Sequence, residues 1–337
     1  MINKHIIQRD LAHFGIRDEI IGITPHIQYN GLSSQPPAYK LVAALAFAGR
    51  KPLIAKYVKE KRTNAAYLRE QYQLSSLFLR HGIPTARRLM TPDHQDHVAV
   101  IYQGQELLLT LEEDIGPEIP LASLKLCQQA GSLLGRMHRA VIQENFHMKE
   151  GRGIFDWMRN SDVDAGKKLM DLLASHGRHQ EHEAVRACYE ARRALLKARW
   201  GNLPHYAVQG DLSINNLTRG AQGELMVFDY NCAGEAPLLS DAVLQALFFA
   251  REMPYDDFSS QDERFTAFFS AYQAQRPLTA IENGLWKPLY QTADAFWFTS
   301  YFYGDDTLDN QLAQDRTMPL DSIMDSIREL LEKEPPR

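Results

Sequence analysis

The sequence has few cysteines, no long hydrophobic run and no surplus of basic charge, and each absence removes a class of protein. Cys127, Cys188 and Cys232 are the only cysteines in 337 residues, and no Cys-x-x-Cys pair occurs. That excludes a disulfide framework and makes a reducing, cytoplasmic setting the expectation. No apolar run nears the ~20 residues of a membrane span. The longest, Leu41 to Ala48, is strand-sized, and the opening MINKHIIQRDLAH breaks its apolar pair with charge, so it does not read as a secretory signal. Lysine and arginine number 37 against 42 aspartates and glutamates, with no basic stripe. Neither nucleic acid nor a membrane is therefore an expected partner. Several motifs are also missing. There is no Gly-x-Ser-x-Gly elbow and no His-Glu-x-x-His. Gly151-Arg152-Gly153 has Asp156 where a dinucleotide fingerprint needs its last glycine, and Gly166-Lys167-Lys168 lacks the upstream glycine and the Ser/Thr of a Walker loop.

What is present is an ordinary globular composition, 45% hydrophobic, which excludes a mostly disordered chain. The length suits two domains or lobes. The first ~115 residues carry short strand signals. Ala38–Ala43 and Pro52–Val58 flank an Ala-Gly-Arg-Lys turn and read as a hairpin, after a polar loop over Asn30–Pro37. Residues 62–80 read as a helix, with Leu68, Leu74, Leu77 and Phe78 in one stripe and His81-Gly82 and Pro84 as stop signals. Val98–Tyr102 and Glu106–Leu111 are further strands. The acidic run Glu112 to Asp114 and then Gly116-Pro117 mark a boundary. Beyond it, helices are expected over 121–141, 164–175, 181–199, 241–251, 261–275 and 285–303, with a charged helix closing the chain. The expectation is an α+β, bilobal fold. A small, mixed antiparallel β-sheet lobe spans residues 1–115 and a larger, mainly helical lobe spans 116–337, with a cleft at their junction.

The chemistry concentrates in Val208–Gly234, VQGDLSINNLTRGAQGELMVFDYNCAG. Asp211 and Asn216 lie five residues apart on a loop after a strand, and Asp229 follows the strand-like LMVF, 13 residues after Asn216. A Gln-Gly-Glu turn before LMVF is expected to fold that strand back on the first, so that the three side chains converge. Two carboxylates and an amide oxygen suit a hard cation such as Mg²⁺, which takes few protein ligands and leaves room for phosphate oxygens.

This segment resembles the catalytic core of the aminoglycoside phosphotransferase and choline kinase family, small-molecule kinases related to the protein kinases. The family pattern is His-Gly-Asp, four residues, Asn, and then an Asp after a strand. Here it reads Gln209-Gly210-Asp211, Asn216 and Asp229-Tyr230-Asn231, with Gln209 in place of the histidine and Asn231 where many relatives have a second acid. The resemblance implies a protein-kinase-like fold and an ATP- or GTP-dependent transfer of phosphate to a hydroxyl of a small molecule, with Mg²⁺. It implies that Asp211 orients and deprotonates the hydroxyl, and that Asn216 and Asp229 hold the metal against the phosphates. It further implies that Lys56, in the strand PLIAKYV, contacts phosphate and is paired by Glu70 of the next helix. Ser33 and Ser34 would donate to phosphate in place of a glycine-rich loop, and the backbones of Glu112 and Asp114 would meet the adenine. The helix segment Leu133 to Arg139 matches the family's entry to the larger lobe, and Asp241 matches a later aspartate that steadies the catalytic loop. Aminoglycosides, choline-like amines, homoserine and sugars are all acceptors of proteins of this type.

Blander readings stand beside these. Asp211 alone is a turn residue, Lys56 a snorkelling strand lysine, Glu70 a solvated helix residue and Asp241 a helix cap. His176, His179 and His182 invite a metal, but Gly177 interrupts them and no fourth ligand is apparent, so a polar helix start is the preferred reading. Trp297, Tyr301, Phe302 and Tyr303 read as packing of the helical lobe. Two rival functions share the scaffold. One is a Ser/Thr protein kinase, against which the interval from Asp229 to Asp241 is too short for an activation segment. The other is a nucleotide-binding regulator without catalysis.

Overall fold

The computed structural model describes residues 3–32, 37–61, 63–151, 153–160, 164–178, 182–297 and 318–336. It divides into two compact units. The first is Met1–Ile119 with Met148–Gly151 and Asn215–Asn231, and the second is Pro120–His147, Arg152–Ile214 and Cys232–Arg337. The stretch carrying Asn216 and Asp229 packs into the first unit, although it lies far along the chain.

The first unit is built on a five-stranded antiparallel sheet. Its strands are β1 (Ile20–Gly31), β2 (Ala38–Phe47), β3 (Leu53–Lys59), β4 (Val98–Tyr102) and β5 (Gln105–Glu113), in the order β1-β2-β3-β5-β4. Side chains alternate across a strand, so each sends every second residue to one face. Tyr39, Leu41, Ala43, Leu45 and Phe47 of β2, Leu53, Ala55 and Tyr57 of β3, and Leu107, Leu109 and Leu111 of β5 form one buried core. Ile7 and Leu11 of helix α1 (Lys4–Leu11) join it. The same parity sends Ile54, Lys56 and Val58, and Leu108, Thr110 and Glu112, to the other face. Lys56 pairs with Thr110 and Ile54 with Glu112 in the β3–β5 register.

Helix α2 (Ala65–Arg80) starts where Asn64 accepts the Tyr67 N–H at 2.8 Å. It stops at Gly82, whose φ of 66° suits glycine, with Ile83 N–H returning to the Phe78 carbonyl at 2.9 Å. The chain then runs beside a hairpin of β7 (Leu217–Arg219) and β8 (Leu225–Val227). Val227 N–H donates to Pro84, Ala86 N–H to Val227, and Ile119 N–H to Leu217. These bonds tie residues 215–231 to the first unit.

The second unit holds α3 (Leu124–Gln143), α4 (Ala165–Ser175), α5 (Glu183–Trp200), α6 (Leu238–Glu252), α7 (Gln261–Gln275), α8 (Ala280–Ala295) and α9 (Met318–Glu332). It also has a ribbon of β6 (His205–Val208) with β9 (Gly234–Pro237). α3 and α7 approach so closely that a Cβ on Gly131 would lie 1.9 Å from the Phe268 carbonyl oxygen. Among the described residues no helix is long and apolar enough to cross a membrane.

Three expectations change. The strand Leu225–Val227 folds back on β7, not on β6, because the partner of β6 is the later segment Gly234–Pro237. The twelve-residue β1 was not foreseen. It is an edge strand, exposed over most of its length, so its sequence carries little apolar alternation. The helix expected over 285–303 occupies Ala280–Ala295. Trp297 bonds Glu252 through its indole N–H at 2.6 Å, and Tyr301, Phe302 and Tyr303 lie outside the described residues.

Candidate active site

Lys56 lies in the middle of β3 with its side chain 9% exposed. Its Nζ is 3.0 Å from Glu112 Oε2 and 3.5 Å from Asp229 Oδ1. Glu112 is its diagonal neighbour on the same sheet face, within reach of a long side chain. The other Glu112 oxygen accepts from Arg88 Nη2 at 3.1 Å, and Arg88 Nη1 donates to the Leu68 carbonyl of α2 at 2.9 Å. Burial opposes the Lys56 charge most strongly, but Asp229 and Glu112 outweigh it and hold its pKa above the usual lysine value. Burial likewise opposes ionised Glu112, yet Lys56 and Arg88 prevail and pull its pKa down to about 2. Lys56 and Glu112 are therefore both charged at neutral pH.

Asn216 and Asp229 sit together because of the β7–β8 register. Leu217 faces Val227, so residue 216 and residues 228–229 emerge from the same end of the hairpin. Phe228 N–H donates to the Asn216 carbonyl at 3.0 Å. Asp229 adopts a left-handed φ of 57°, an uncommon conformation for a residue with a side chain. Its carboxylate is aimed by Asn231, which donates its backbone N–H to Oδ1 at 3.2 Å and its amide to Oδ2 at 2.9 Å. Next to it, Tyr230 bonds Thr85 at 2.7 Å, and Gln71 and Tyr67 of α2 donate to the Tyr230 and Asn231 carbonyls at 2.9 and 2.8 Å. One carboxylate and one amide oxygen fit Mg²⁺, which keeps several waters and shares itself with phosphate oxygens. Among the described residues no three His, Cys, Asp or Glu side chains gather at one point. A pair of such donors would leave the rest of a coordination shell to water and phosphate.

Asp211 belongs to the second unit, on the loop after β6. Gln209 accepts its N–H at 2.9 Å, and Asp211 Oδ1 accepts from Ser213 N–H at 3.3 Å. Gly210 between them has φ 85°, and a Cβ there would lie 2.1 Å from the Cys232 carbonyl oxygen, so only glycine fits. Leu212 N–H donates to Gln245 Oε1 at 2.9 Å. Gln245 in turn reaches Asp241 Oδ1 at 3.5 Å, and Asp241 Oδ2 meets His138 Nε2 at 3.1 Å. His138 Nδ1 is 3.0 Å from the Tyr272 hydroxyl, which accepts from Arg276, itself paired with Glu282 at 2.8 Å. Burial lowers the His138 pKa more than Asp241 raises it, so the ring is neutral at pH 7. Its Nε2–H then donates to Asp241 and its Nδ1 accepts from Tyr272. This buried chain of bonds runs from α7 and α8 through α3 and α6 to the backbone beside Asp211. It also places Asp241, which is fully buried, in a bonding role and not at a helix cap.

The structure brings Lys56 to Asp229 and places Asn216 beside Asp229. It does not pair Lys56 with Glu70. The Glu70 carboxylate instead accepts the N–H groups of Lys149, at 3.0 and 3.1 Å, and of Glu150, at 3.0 Å. Helical phase is not the reason, since Glu70 lies in register with Tyr67 and Leu74; its carboxylate is taken up by the backbone of residues 149 and 150 instead. The Glu112 backbone, expected to meet adenine, lies between Ile54 and Arg88 in the sheet, and its side chain turns to Lys56 and Arg88. The Asp114 N–H is engaged by the Pro52 carbonyl and its carboxylate by Gly116 N–H, at 3.2 and 3.0 Å. Ser33 and Ser34 lie outside the described residues, as does His179 of the histidine cluster. Sequence reasoning missed Arg88. The one signal for Glu112's role was an acid at the inward parity of an apolar strand.

No family model matches the chain. Its structure is similar to that of an amicoumacin kinase in complex with AMP-PNP and Ca²⁺, at 16% identity and a TM-score of 0.58, over 96% of this chain and 94% of that one. It is similar to an aminoglycoside phosphotransferase from Alicyclobacillus acidocaldarius subsp. acidocaldarius DSM 446, at 13% identity and a TM-score of 0.60, over 98% and 97%. It is also similar to a microcompartment-associated aminopropanol kinase, at 14% identity and a TM-score of 0.59, over 99% of both chains. The chain therefore has the α+β, protein-kinase-like fold of the small-molecule kinases.

Proposed function

We propose that this protein is an ATP- and Mg²⁺-dependent phosphotransferase acting on a hydroxyl group of a small molecule. The observation that carries the reading is the ion pair of Lys56 with Asp229, 173 residues apart in the chain, with Asn216 emerging beside Asp229 from one hairpin end. In this reading the Lys56 ammonium holds the phosphates. Asn216 and Asp229 would hold Mg²⁺, which would supply charge neutralisation for the transferring phosphate. Asp211 orients the acceptor hydroxyl and takes its proton as the new P–O bond forms. Gln209, Gly210 and the Gln245–Asp241–His138 chain keep that carboxylate in place, which matters because positioning supplies most of the rate in such reactions.

A small acceptor is favoured over a protein. Only β9 intervenes between Asn231 and α6, leaving no stretch for a peptide-binding activation segment. The names of two similar structures, an aminoglycoside phosphotransferase and an aminopropanol kinase, point to hydroxyl compounds that carry an amine. A net charge of -5 agrees with a cationic acceptor.

The test is a thermal-shift screen of amino alcohols, aminoglycosides and sugars with Mg²⁺ and AMP-PNP, followed by phosphate transfer from radiolabelled ATP. A ligand at 100 times its Kd adds about 2.7 kcal/mol of stability. Phosphate should appear on a low-molecular-weight acceptor. Transfer only to protein, or no ATP consumption with any acceptor, would overturn the proposal.

A further inference from the structure

We propose that Glu112, held by Arg88, is the positioning residue that fixes the Lys56 ammonium for phosphate, in place of Glu70 on α2. The inference rests on the phosphotransfer reading above and identifies which carboxylate serves that site.

Three observations carry it. The first is sheet geometry. Lys56 and Glu112 are diagonal neighbours on adjacent strands, on the face opposite the apolar core, so their 3.0 Å contact is set by strand register and not by where a helix sits. The second is the occupation of α2. Glu70 is bonded to the backbone at Lys149 and Glu150, while the polar groups on its buried face, Tyr67 and Gln71, take the Asn231 and Tyr230 carbonyls. The helix thus contributes to the hairpin that aims Asp229 and leaves the lysine to the sheet.

The third is the pattern of charge. Glu112 gives one oxygen to Lys56 and the other to Arg88, so its carboxylate cannot rotate without breaking one of two bonds. Arg88 is anchored in turn by the Leu68 carbonyl, and its Nη1 is 4.0 Å from Asp96, which lies 3.6 Å from the exposed Arg69. Signs alternate along the whole row, Asp229, Lys56, Glu112, Arg88, Asp96, Arg69. Arg88 offsets the charge that Glu112 brings beside Lys56, so the carboxylate is shared between two cations and does not belong to the lysine alone. That suits an ammonium whose task is to meet phosphate oxygens.

The experiment compares Glu112→Gln, Glu112→Asp, Arg88→Lys and Glu70→Gln in the full chain. The readouts are the Kd for AMP-PNP with Mg²⁺ by calorimetry, and KM for ATP and kcat by phosphate release. Circular dichroism reports folding. Glu112→Gln should lower kcat/KM for ATP by about 10²-fold, the scale of a small misplacement at a reacting group, and weaken AMP-PNP binding. Glu112→Asp keeps the charge and should recover part of the loss. Arg88→Lys should fall between, because a single ammonium cannot bridge Glu112 and Leu68 as the guanidinium fork does. Glu70→Gln should leave the ATP parameters within about threefold, since it loses only hydrogen bonds at a partly exposed site. Should Glu112→Gln fail to fold, Glu112→Asp and Arg88→Lys carry the comparison. An active wild type in which Glu70→Gln causes the large loss and the Glu112 variants do not would overturn the inference. A wild type that neither binds AMP-PNP nor consumes ATP would instead overturn the phosphotransfer reading.

Discussion

The acid limb of the stability curve should carry the signature of Glu112. Its carboxyl titrates at about 2 in the folded chain against an ordinary 4.5. Each pKa unit is worth about 1.4 kcal/mol, so the folded environment favours ionised Glu112 by about 3 kcal/mol at neutral pH. The sign follows from proton binding. Between the two values the unfolded chain binds the proton and the folded chain does not. The contribution is fully present above about pH 4.5 and is lost as pH falls towards 2. At pH 3 linkage leaves about half of it. Glu112→Gln removes this titration, so the stability gap between wild type and variant should narrow by about half from pH 7 to pH 3. The gap at pH 7 should reach about 3–5 kcal/mol, because the substitution leaves Lys56 and Arg88 buried with one anion fewer. Urea unfolding at half-unit pH steps, followed by tryptophan fluorescence and circular dichroism, measures both. A gap that stays constant from pH 7 to pH 3 would refute the account of a buried, ion-paired carboxylate.

Further tests bear on Asp211 and its surroundings. Asp211→Ala should cut turnover by about 10²–10⁴-fold while AMP-PNP still binds, which calorimetry and single-turnover assays can separate. Gly210→Ala should impair catalysis and cost about 1–3 kcal/mol from the left-handed backbone alone, before the clash with Cys232 is counted. Urea denaturation and kcat would report the two effects. His138 has a depressed pKa, so its contribution to stability is present above the ordinary histidine value of 6.5 and is lost as pH falls below it. His138→Gln should flatten the stability profile between pH 7 and 5, and an unchanged slope would contradict a buried neutral imidazole.

Much of this was legible in the amino-acid order. Lys56 and Asp229, singled out through the resemblance to a family pattern, do meet in the structure, and the strand Val98–Tyr102 and helix Gln261–Gln275 follow from periodicity alone. What escaped depends on long-range register. The partner of Lys56 is decided by which residue of β5 lies across from Ile54, and Arg88 enters from an irregular segment with no pattern of its own. Glu70 lies in phase with the apolar stripe of α2, but the backbone of residues 149 and 150, distant in sequence, takes its carboxylate. β6 finds its partner in Gly-Glu-Ala-Pro, a sequence with no strand character, because bonding to a neighbour overrides weak local preference.

The route of the chain has a consequence for how the protein is made. Residues 1–119 alone do not complete the first unit, since Met148–Gly151 and Asn215–Asn231 come from later in the sequence. During synthesis, the sheet that presents Lys56 must wait for the hairpin bearing Asp229 until Asn231 has left the ribosome, by which point most of the chain has emerged. A truncated N-terminal fragment should therefore expose the Lys56, Glu112 and Arg88 cluster without its aspartate, and the two halves of the molecule are better regarded as maturing together than in turn.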